Sequence, residues 1–500
     1  MTLVNEVLFD YQVEAAQRIA ESRRVLLADQ PGLGKTLEVL GALELDGLFD
    51  RPSNILILTP IINAQTTWID TIERFIKPRY NVGVIDVSKG TAKQKSKQFE
   101  QVFEDVPVIV LANHNAIDMT KNGIRVHELA FTPYDAVIVD ESHLVLPIQN
   151  DRKMTNFWRG LQVLDFNPNA IKVAVSGTPD RGKLENRYGT WRFLEGYGQT
   201  GSRWAWLEEN FWITEQQVSR TRSIKATAGI KNQRLWLEKD RLWMIRRTKA
   251  EVLPQLPPKR YVDVEIELGA DQRTRYFTEQ LKYETALLSK EEDAQTADAM
   301  IFALRSRQQA ICAWDDEYKP IVGEPSAKLE WLLEWLGERG FLEYDAMADN
   351  QAKVVIVSQF TRVLYWLQEE LVARGVTSEV ISGDTNSAKR DWAQAQFQNG
   401  DLRIVLLSGN MGVGINLDKA DDLIMLDSPY DPDRIEQIED RVHRASSNHS
   451  VTIWNLIALN TIDHAIAEKV NKRFRLTRKL LDGSRGVDFA RKMLDKGTNE

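Results

Sequence analysis

The sequence predicts an α/β protein with two tandem parallel-sheet domains and a mostly helical connector between them. Three observations carry this. Short runs rich in leucine and β-branched residues recur through the N-terminal half, separated by longer mixed segments. The C-terminal half repeats the theme. Near-continuous apolar runs of that length suit strands buried on both faces, as in a parallel sheet covered by helices. Between the halves lies LPQLPPKR (253–260), where three prolines in six residues disfavour both helix and central strand.

In chain order, the first series is VLLA (25–28), NILILT (54–59), VPVIVL (106–111), YDAVIVD (134–140) and IKVAVSG (171–177). TLEVLGALEL (36–45) suits a covering helix. The second series is KVVIVS (353–358), TSEVIS (377–382), LRIVLLS (402–408), DLIMLDS (422–428) and SVTIWNLIA (450–458). Between its first two members, Val363, Leu364, Leu367 and Leu371 recur at helical spacing and give one buried stripe. The expected divisions are 1–255, a connector with helical accessory segments at 256–350, and 351–500. Trp331 and Trp335, in LEWLLEWLG, read as packing residues.

Composition narrows the function classes. Hydrophobic content of 43% and charged content of 27% are those of an ordinary globular protein. A single cysteine, Cys312, excludes an internal disulfide and a cysteine-based zinc site. MTLVNEVLFDYQ lacks the basic-then-apolar pattern of a secretory signal, and no apolar run approaches the ~18 residues of a membrane span. The expectation is a cytoplasmic protein, without a membrane partner, of a bacterial or virus-infected bacterial cell. A net charge of -8 argues against a basic coat and leaves room for a local basic groove. EKVNKRFRLTRK (468–479), with six Lys or Arg, reads either as a solvated helix face or as a surface beside a nucleic-acid backbone.

Chemistry concentrates first in DQPGLGKT (29–36), which follows the run RRVLLA. Gly32 and Gly34 let the backbone wrap phosphate oxygens, and the helix that follows adds partial positive charge at its N-terminus. Lys35 then reaches the β and γ phosphates, and Thr36 ligates magnesium. Asp29 stands where such a loop normally has its first glycine. In YDAVIVDESH, the strand carries Asp140 to its carboxyl end to hold the magnesium shell, and Glu141 is placed to orient or deprotonate the attacking water. His143 reads either as a link to the rest of the machinery or as a packing residue. Ser176 and Thr178, in SGTP, close a strand, either as a simple turn or as switching hydrogen-bond groups.

The second half has no GKT loop, which argues against a second ATP. It has GNMGVGINL (409–417) and QIEDRVHR (437–444). If the latter is helical, Gln437, Arg441 and Arg444 share one face. Arginine forks match triphosphate oxygens. Salt bridges to Glu436, Glu439 or Asp440 are the alternative.

The ordered set resembles helicase superfamily two, and within it the SWI/SNF-type DNA-translocating ATPases. FDYQVEAAQRI (9–19) is similar to the family's opening segment, DQPGLGKT to its DEMGLGKT, and LTPIINAQTTWIDTIERF (58–75), with Trp68, to the next segment. The most discriminating match is IRRTKAEVLPQLPPK (245–259). Tyr276, SRQQAIC (306–312), PSAKLEWLLEWL (325–336), SQF (358–360), the 382–400 and 406–445 stretches and NTIDHAI (460–466) follow in order.

The resemblance implies two RecA-like domains, ATP and Mg2+ as cofactors, and ATP-driven tracking along double-stranded DNA through phosphate contacts. A strand-separating or branch-migrating helicase acting on forked or branched DNA is the alternative, and a non-enzymatic ATP-binding scaffold the third reading. Gln12 would read adenine. Lys35, Asp140, Glu141, Arg441 and Arg444 would be catalytic. Asp29, Gly32, Gly34, Thr36, Gly414 and Gln437 would line the ATP site, and Gly412 would shape its loop. His143, Ser176, Thr178, Ser358 and Ser408 would couple it to DNA. Two departures stand out: RASS (444–447) replaces the family's RIGQ, and Asp180 replaces a common leucine.

Overall fold

The structure is a computed structural model describing residues 2–99, 105–149, 151, 153–180, 183–219, 222–288, 326–342, 352–409, 415–429, 432–444 and 447–468. Cys312, SRQQAIC, Gly412, Gly414 and 469–479 of the basic stretch lie outside the described residues. The chain divides into two compact units, the first running to Pro254 and the second starting at Gln255.

The first unit is built on seven parallel strands: β1 (Arg24–Leu27), β2 (Asn54–Thr59), β3 (Gly83–Val87), β4 (Val108–Asn113), β5 (Tyr134–Val139), β6 (Phe166–Val175) and β7 (Met244–Ile245). Their order is β7-β1-β6-β5-β2-β4-β3. The five expected runs are its five internal strands. Val25, Leu27, Ile55, Ile57, Ile138 and Val173 are completely buried, as strands covered on both faces require. The two edge strands escaped the sequence reading. GVIDV alternates buried and half-buried positions, and the other edge strand is two residues long. Neither gives a continuous apolar run, because one face or one side meets water.

Helix α1 (Asp10–Ser22) and helix α2 (Lys35–Leu45) cover this sheet on one side. The region after β6 holds an accessory subdomain that periodicity did not reveal. It comprises α3 (Arg187–Glu195), α4 (Arg203–Asn210), a separate two-stranded hairpin (Phe211–Ser219 with Arg222–Ile230) and α5 (Gln233–Trp243). A hairpin alone is marginal in water. Its base is anchored by Phe211, whose ring lies 5.6 Å from Trp206 and 5.3 Å from Trp236, with Trp191 completing the cluster.

Asp180, a departure from the family pattern, is explained here. It is completely buried, and its carboxylate takes Nε and Nη2 of Arg187 at 2.7 and 2.8 Å. Arg187 Nη1 also donates to Asp240 at 2.8 Å. Burial disfavours the Arg187 charge, but the two carboxylates outweigh it and raise its pKa. Burial also pushes Asp240 up to about 6, with Arg187 pulling it back. The triad therefore staples the turn after β6 to α3 and α5.

The second unit has six parallel strands: β8 (Lys259–Ile266), β9 (Val354–Ser358), β10 (Ser378–Ile381), β11 (Ile404–Ser408), β12 (Asp422–Met425) and β13 (Val451–Ala458). Their order is β8-β13-β12-β9-β11-β10. β8 falls in the stretch read as connector. It is an edge strand whose side chains are mostly solvated, so it lacks the buried-strand signature. Helix α6 (Ala327–Glu338) also packs into this unit. Trp335 and Trp331 meet the Trp454 ring at 5.8 and 5.9 Å, so both are packing residues. The Lys328 ammonium, completely buried, donates to Leu426 O and Asp463 Oδ2, each at 2.5 Å. KLEWL and NTIDHAI are thereby joined. Helix α7 (Thr361–Ala373) buries Val363, Leu364, Leu367 and Leu371 completely, as the spacing predicts.

Candidate ATP site

Three loops of the first unit leave adjacent parallel strands, β1, β6 and β5, at the same carboxyl edge. They are DQPGLGKT, SGTP and DESH. Gly34 has φ 84° and is the N-cap of α2, a conformation that carries the chain from loop into helix. A Cβ there would also fall 2.4 Å from Gln12 Nε2. Gly32 shares the left-handed conformation. Lys35 Nζ folds back on the loop, donating to Asp29 O at 2.9 Å and Gln30 O at 3.4 Å. Thr36 is the second residue of α2 and is half-buried.

Gln12 is buried, and both ends of its amide are engaged by the chain. Its Oε1 accepts from Phe9 N at 3.0 Å, and its Nε2 donates to Leu33 O at 2.8 Å. The structure thus brings the opening segment directly onto the phosphate loop.

Asp140 follows β5 and is clamped. Its Oδ2 accepts from Thr59 Oγ1 at 2.8 Å, Trp68 Nε1 at 3.1 Å and Asn63 Nδ2 at 3.3 Å. Its Oδ1 accepts from Glu141 N at 2.9 Å, and its carbonyl meets His114 Nε2 at 2.8 Å. Sequence reasoning quoted Trp68 for resemblance alone and missed Thr59, Asn63 and His114. Thr59, which closes NILILT at the neighbouring strand's end, was the available signal.

Glu141 adopts φ 46° and ψ 45°, a left-handed conformation that costs a non-glycine residue about 1–3 kcal/mol. This turn aims its carboxylate back toward His143, with Oε2 3.3 Å from Nδ1. The same Nδ1 lies 2.8 Å from Ser176 Oγ, and both residues are buried. Ser176 Oγ also accepts from Thr178 N at 3.1 Å. His143 is therefore a link between DESH and SGTP as well as a buried residue. SGTP in turn reaches the phosphate loop: a Cβ on Gly177 would fall 2.6 Å from Pro31 Cγ.

The second unit holds the remaining candidates. Helix α8 (Pro432–Val442) carries Gln437 and Arg441 but stops before Arg444, so the three do not share a helix face. Arg444 lies past the helix end. Its N–H donates to Ser447 Oγ at 3.0 Å, and its Nη2 to Ile415 O at 2.8 Å. Ser447 N also donates back to Arg444 O at 3.0 Å, so these two residues of RASS are paired in both directions. Burial, then the Arg444 charge, lowers Arg441 to about 10, and burial lowers Arg444 too. Two of the three acids of the salt-bridge alternative meet a lysine: Lys259 Nζ lies 2.8 Å from Glu439 and 3.5 Å from Asp440. Burial opposes the Lys259 charge, and Glu439 outweighs it. His443 Nε2 lies 2.6 Å from Pro257 O, so LPPK is fastened to the end of α8.

Ser358 and Ser408 are register partners at the ends of β9 and β11, and both are buried. Ser358 Oγ donates to Asp427 Oδ2 at 2.5 Å, and the Gln359 N–H donates to Oδ1 at 2.9 Å. Burial raises the Asp427 pKa, opposed by those bonds.

The sequence profile of the SNF2-related domain matches residues 11–317, more than half of the chain. The chain belongs to the SNF2-related family. A helicase conserved C-terminal domain matches residues 327–446 of this SNF2-family chain. Chromodomain-helicase-DNA-binding protein 7 of Gallus gallus is 24% identical over 517 residues, 97% of this chain and 16% of that protein. Chromodomain-helicase-DNA-binding protein 1-like of Mus musculus is 25% identical over 97% of this chain and 51% of its own length. The uncharacterized ATP-dependent helicase YqhH of Bacillus subtilis is 23% identical over 94% of this chain and 79% of its own. The chain thus spans from about a sixth to half of these chromodomain relatives. The solved Sulfolobus solfataricus SWI2/SNF2 ATPase core in complex with dsDNA aligns with 95% of this chain and 93% of its own at 19% identity and a TM-score of 0.39. Among the described residues, no helix is long and apolar enough to cross a membrane.

Proposed function

We propose that this SNF2-family ATPase moves along duplex DNA, with ATP hydrolysis closing and opening the cleft between its two domains. One observation carries the reading. The phosphate loop, the Asp140–Glu141 pair and SGTP emerge at one sheet edge and are tied together through His143–Ser176 and Gly177–Pro31. A signal at the hydrolysis site therefore has a bonded route into the loop after β6.

The donors present suit magnesium. The Thr36 hydroxyl and Asp140 carboxylate are hard oxygens, and Asp140 Oδ1 accepts one backbone N–H, which leaves an acceptor position for metal-bound water. Bound there, the ion would neutralise charge on the phosphates. Lys35 holds the β and γ phosphates, with its ammonium released from the loop carbonyls it now meets. Glu141 orients the attacking water. Arg441 and Arg444 bring positive charge to the triphosphate when the domains close, and Gln437 adds a neutral hydrogen-bonding amide.

ATP hydrolysis measured side by side with blunt duplex, single-stranded, forked and four-way DNA and RNA tests this. Strong stimulation by blunt duplex, with displacement of a triplex-forming strand, is expected, and both weaken as salt rises. Failure of both overturns translocation on duplex, and efficient opening of a simple fork replaces it with strand separation.

Arg441→Ala should reduce turnover by tenfold or more, while ATP binding to the isolated first domain, which lacks this residue, sets the reference affinity that the variant retains. Wild-type hydrolysis by the substituted full chain removes Arg441 from the mechanism.

A further inference from the structure

The segment IRRTKAEVLPQLPPK marks the family, yet no step above uses its arginines. β7 pairs with β1 (Leu26 with Met244, Leu27 with Ile245), so the chain leaves the sheet beside the phosphate loop. The ladder continues past both strands: Ala28 N donates to Ile245 O at 2.8 Å, and Gln30 N to Arg247 O at 3.0 Å. Arg246 Nη1 bridges two loops, donating to Ala28 O at 2.6 Å and Gly177 O at 2.8 Å. Arg247 grips the odd first residue of DQPGLGKT. Its N–H donates to Asp29 Oδ1 at 2.8 Å and its Nε to Oδ2 at 3.0 Å, with Nη2 2.8 Å from Oδ2. Its Nη1 donates to Tyr11 O, in the segment that carries Gln12, and its guanidinium lies 5.3 Å from the Tyr11 ring. Lys249 N adds a bond to Gln30 Oε1 at 2.7 Å.

We propose that Arg247 is a positioning residue of the ATPase reaction, fixing the phosphate loop through the Asp29 carboxylate and the Gln12 segment through the Tyr11 carbonyl. It touches neither ATP nor the reacting atoms. A loop with two left-handed glycines has little conformational preference of its own and needs an external hold. Asp29 is completely buried, and Arg247 meets both its oxygens, the backbone N–H at Oδ1 and the Nε/Nη2 edge of the guanidinium at Oδ2. Charge reinforces geometry. Glu38, also completely buried, lies 3.6 Å from Arg247 Nη2, where burial and then the Asp29 charge raise its pKa against the pull of Arg247, and the exposed Glu14 lies 3.7 Å from Nη1. Removing the guanidinium would leave the buried Asp29 carboxylate without its cation behind a loop that must receive a triphosphate.

The inference rests on residues 29–36 being the ATP loop, so Lys35→Ala is the reference variant. ATP titration and steady-state hydrolysis are measured on the full chain. Arg247→Ala should raise the ATP KM about tenfold while kcat at saturating ATP changes less than about threefold. Arg247→Lys restores charge without the fork, so its KM stays at least about threefold high. Asp29→Asn should raise KM, and the Asp29→Asn/Arg247→Ala double variant should be no weaker than Arg247→Ala alone. If Arg247→Ala does not fold, Asp29→Asn, Arg247→Lys and their double variant carry the same comparison. Normal KM with Arg247 or Asp29 substituted, or effects that multiply in the double variant, overturns the inference alone, provided Lys35→Ala has lost ATP binding. Normal ATP binding by Lys35→Ala overturns the loop reading, and this inference with it.

Discussion

Glu141→Gln should bind ATP with near wild-type affinity and hydrolyse it at least about tenfold more slowly, a floor below the roughly 10²–10⁴-fold typical of a lost general base. Glutamine keeps the side chain's size and its hydrogen-bond reach but cannot take a proton. The backbone that aims it stays in place, because the left-handed turn at residue 141 is held by the bond from its N–H to Asp140 Oδ1. Asp140 is itself fixed by Thr59, Asn63 and Trp68, so its carboxylate does not move with the substitution. The phosphate loop is untouched, which separates binding from chemistry. Phosphate release together with a nucleotide-binding titration checks both halves. Hydrolysis within twofold of wild type would remove Glu141 from the reaction.

The largest effect on stability is expected at Arg187→Ala, about 3–5 kcal/mol, the usual cost of breaking a buried ion pair from one side. Alanine would leave Asp180 and Asp240 facing each other, both nearly fully buried, with no cation between them. Asp180→Leu should cost much less, because Arg187 keeps its bond to Asp240. The reporter is built in. Trp191 lies one turn from Arg187 on α3, Trp236 one turn from Asp240 on α5, and their rings are 5.2 Å apart. Urea unfolding followed by tryptophan fluorescence gives both values. An Arg187→Ala midpoint equal to wild type would show that the triad contributes nothing to the unit's stability.

What was legible in the sequence follows a physical division. Strands covered on both faces write themselves as continuous apolar runs, so the nine internal strands are legible within a few residues of their ends, and so is the edge strand Ser378–Ile381, whose side chains are mostly buried. Edge strands such as Gly83–Val87 and Lys259–Ile266 are half solvated and left no such mark. The accessory subdomain was also missed, since its core is a cluster of aromatics drawn from separate short elements rather than a stripe on one long helix. The helical reading of QIEDRVHR carried one residue pair too far: the helix ends at Val442, and Arg444 is set by the Ser447 turn instead.

Local chemistry is written in consecutive residues: a GKT loop between strand and helix, an acidic pair and a hydroxyl turn at strand ends, and arginines late in the chain. These are legible because each depends on a few consecutive residues and the strand that precedes them. Which side chains hold those groups in place is set by the fold. Asp29 meets Arg247 across 218 residues because a two-residue strand pairs with β1. Asp140 meets Trp68 across 72 residues, and Lys328 meets Asp463 across 135. Pairings at such separations depend on strand order and on which loops share a sheet edge, and no local pattern in the chain encodes that order.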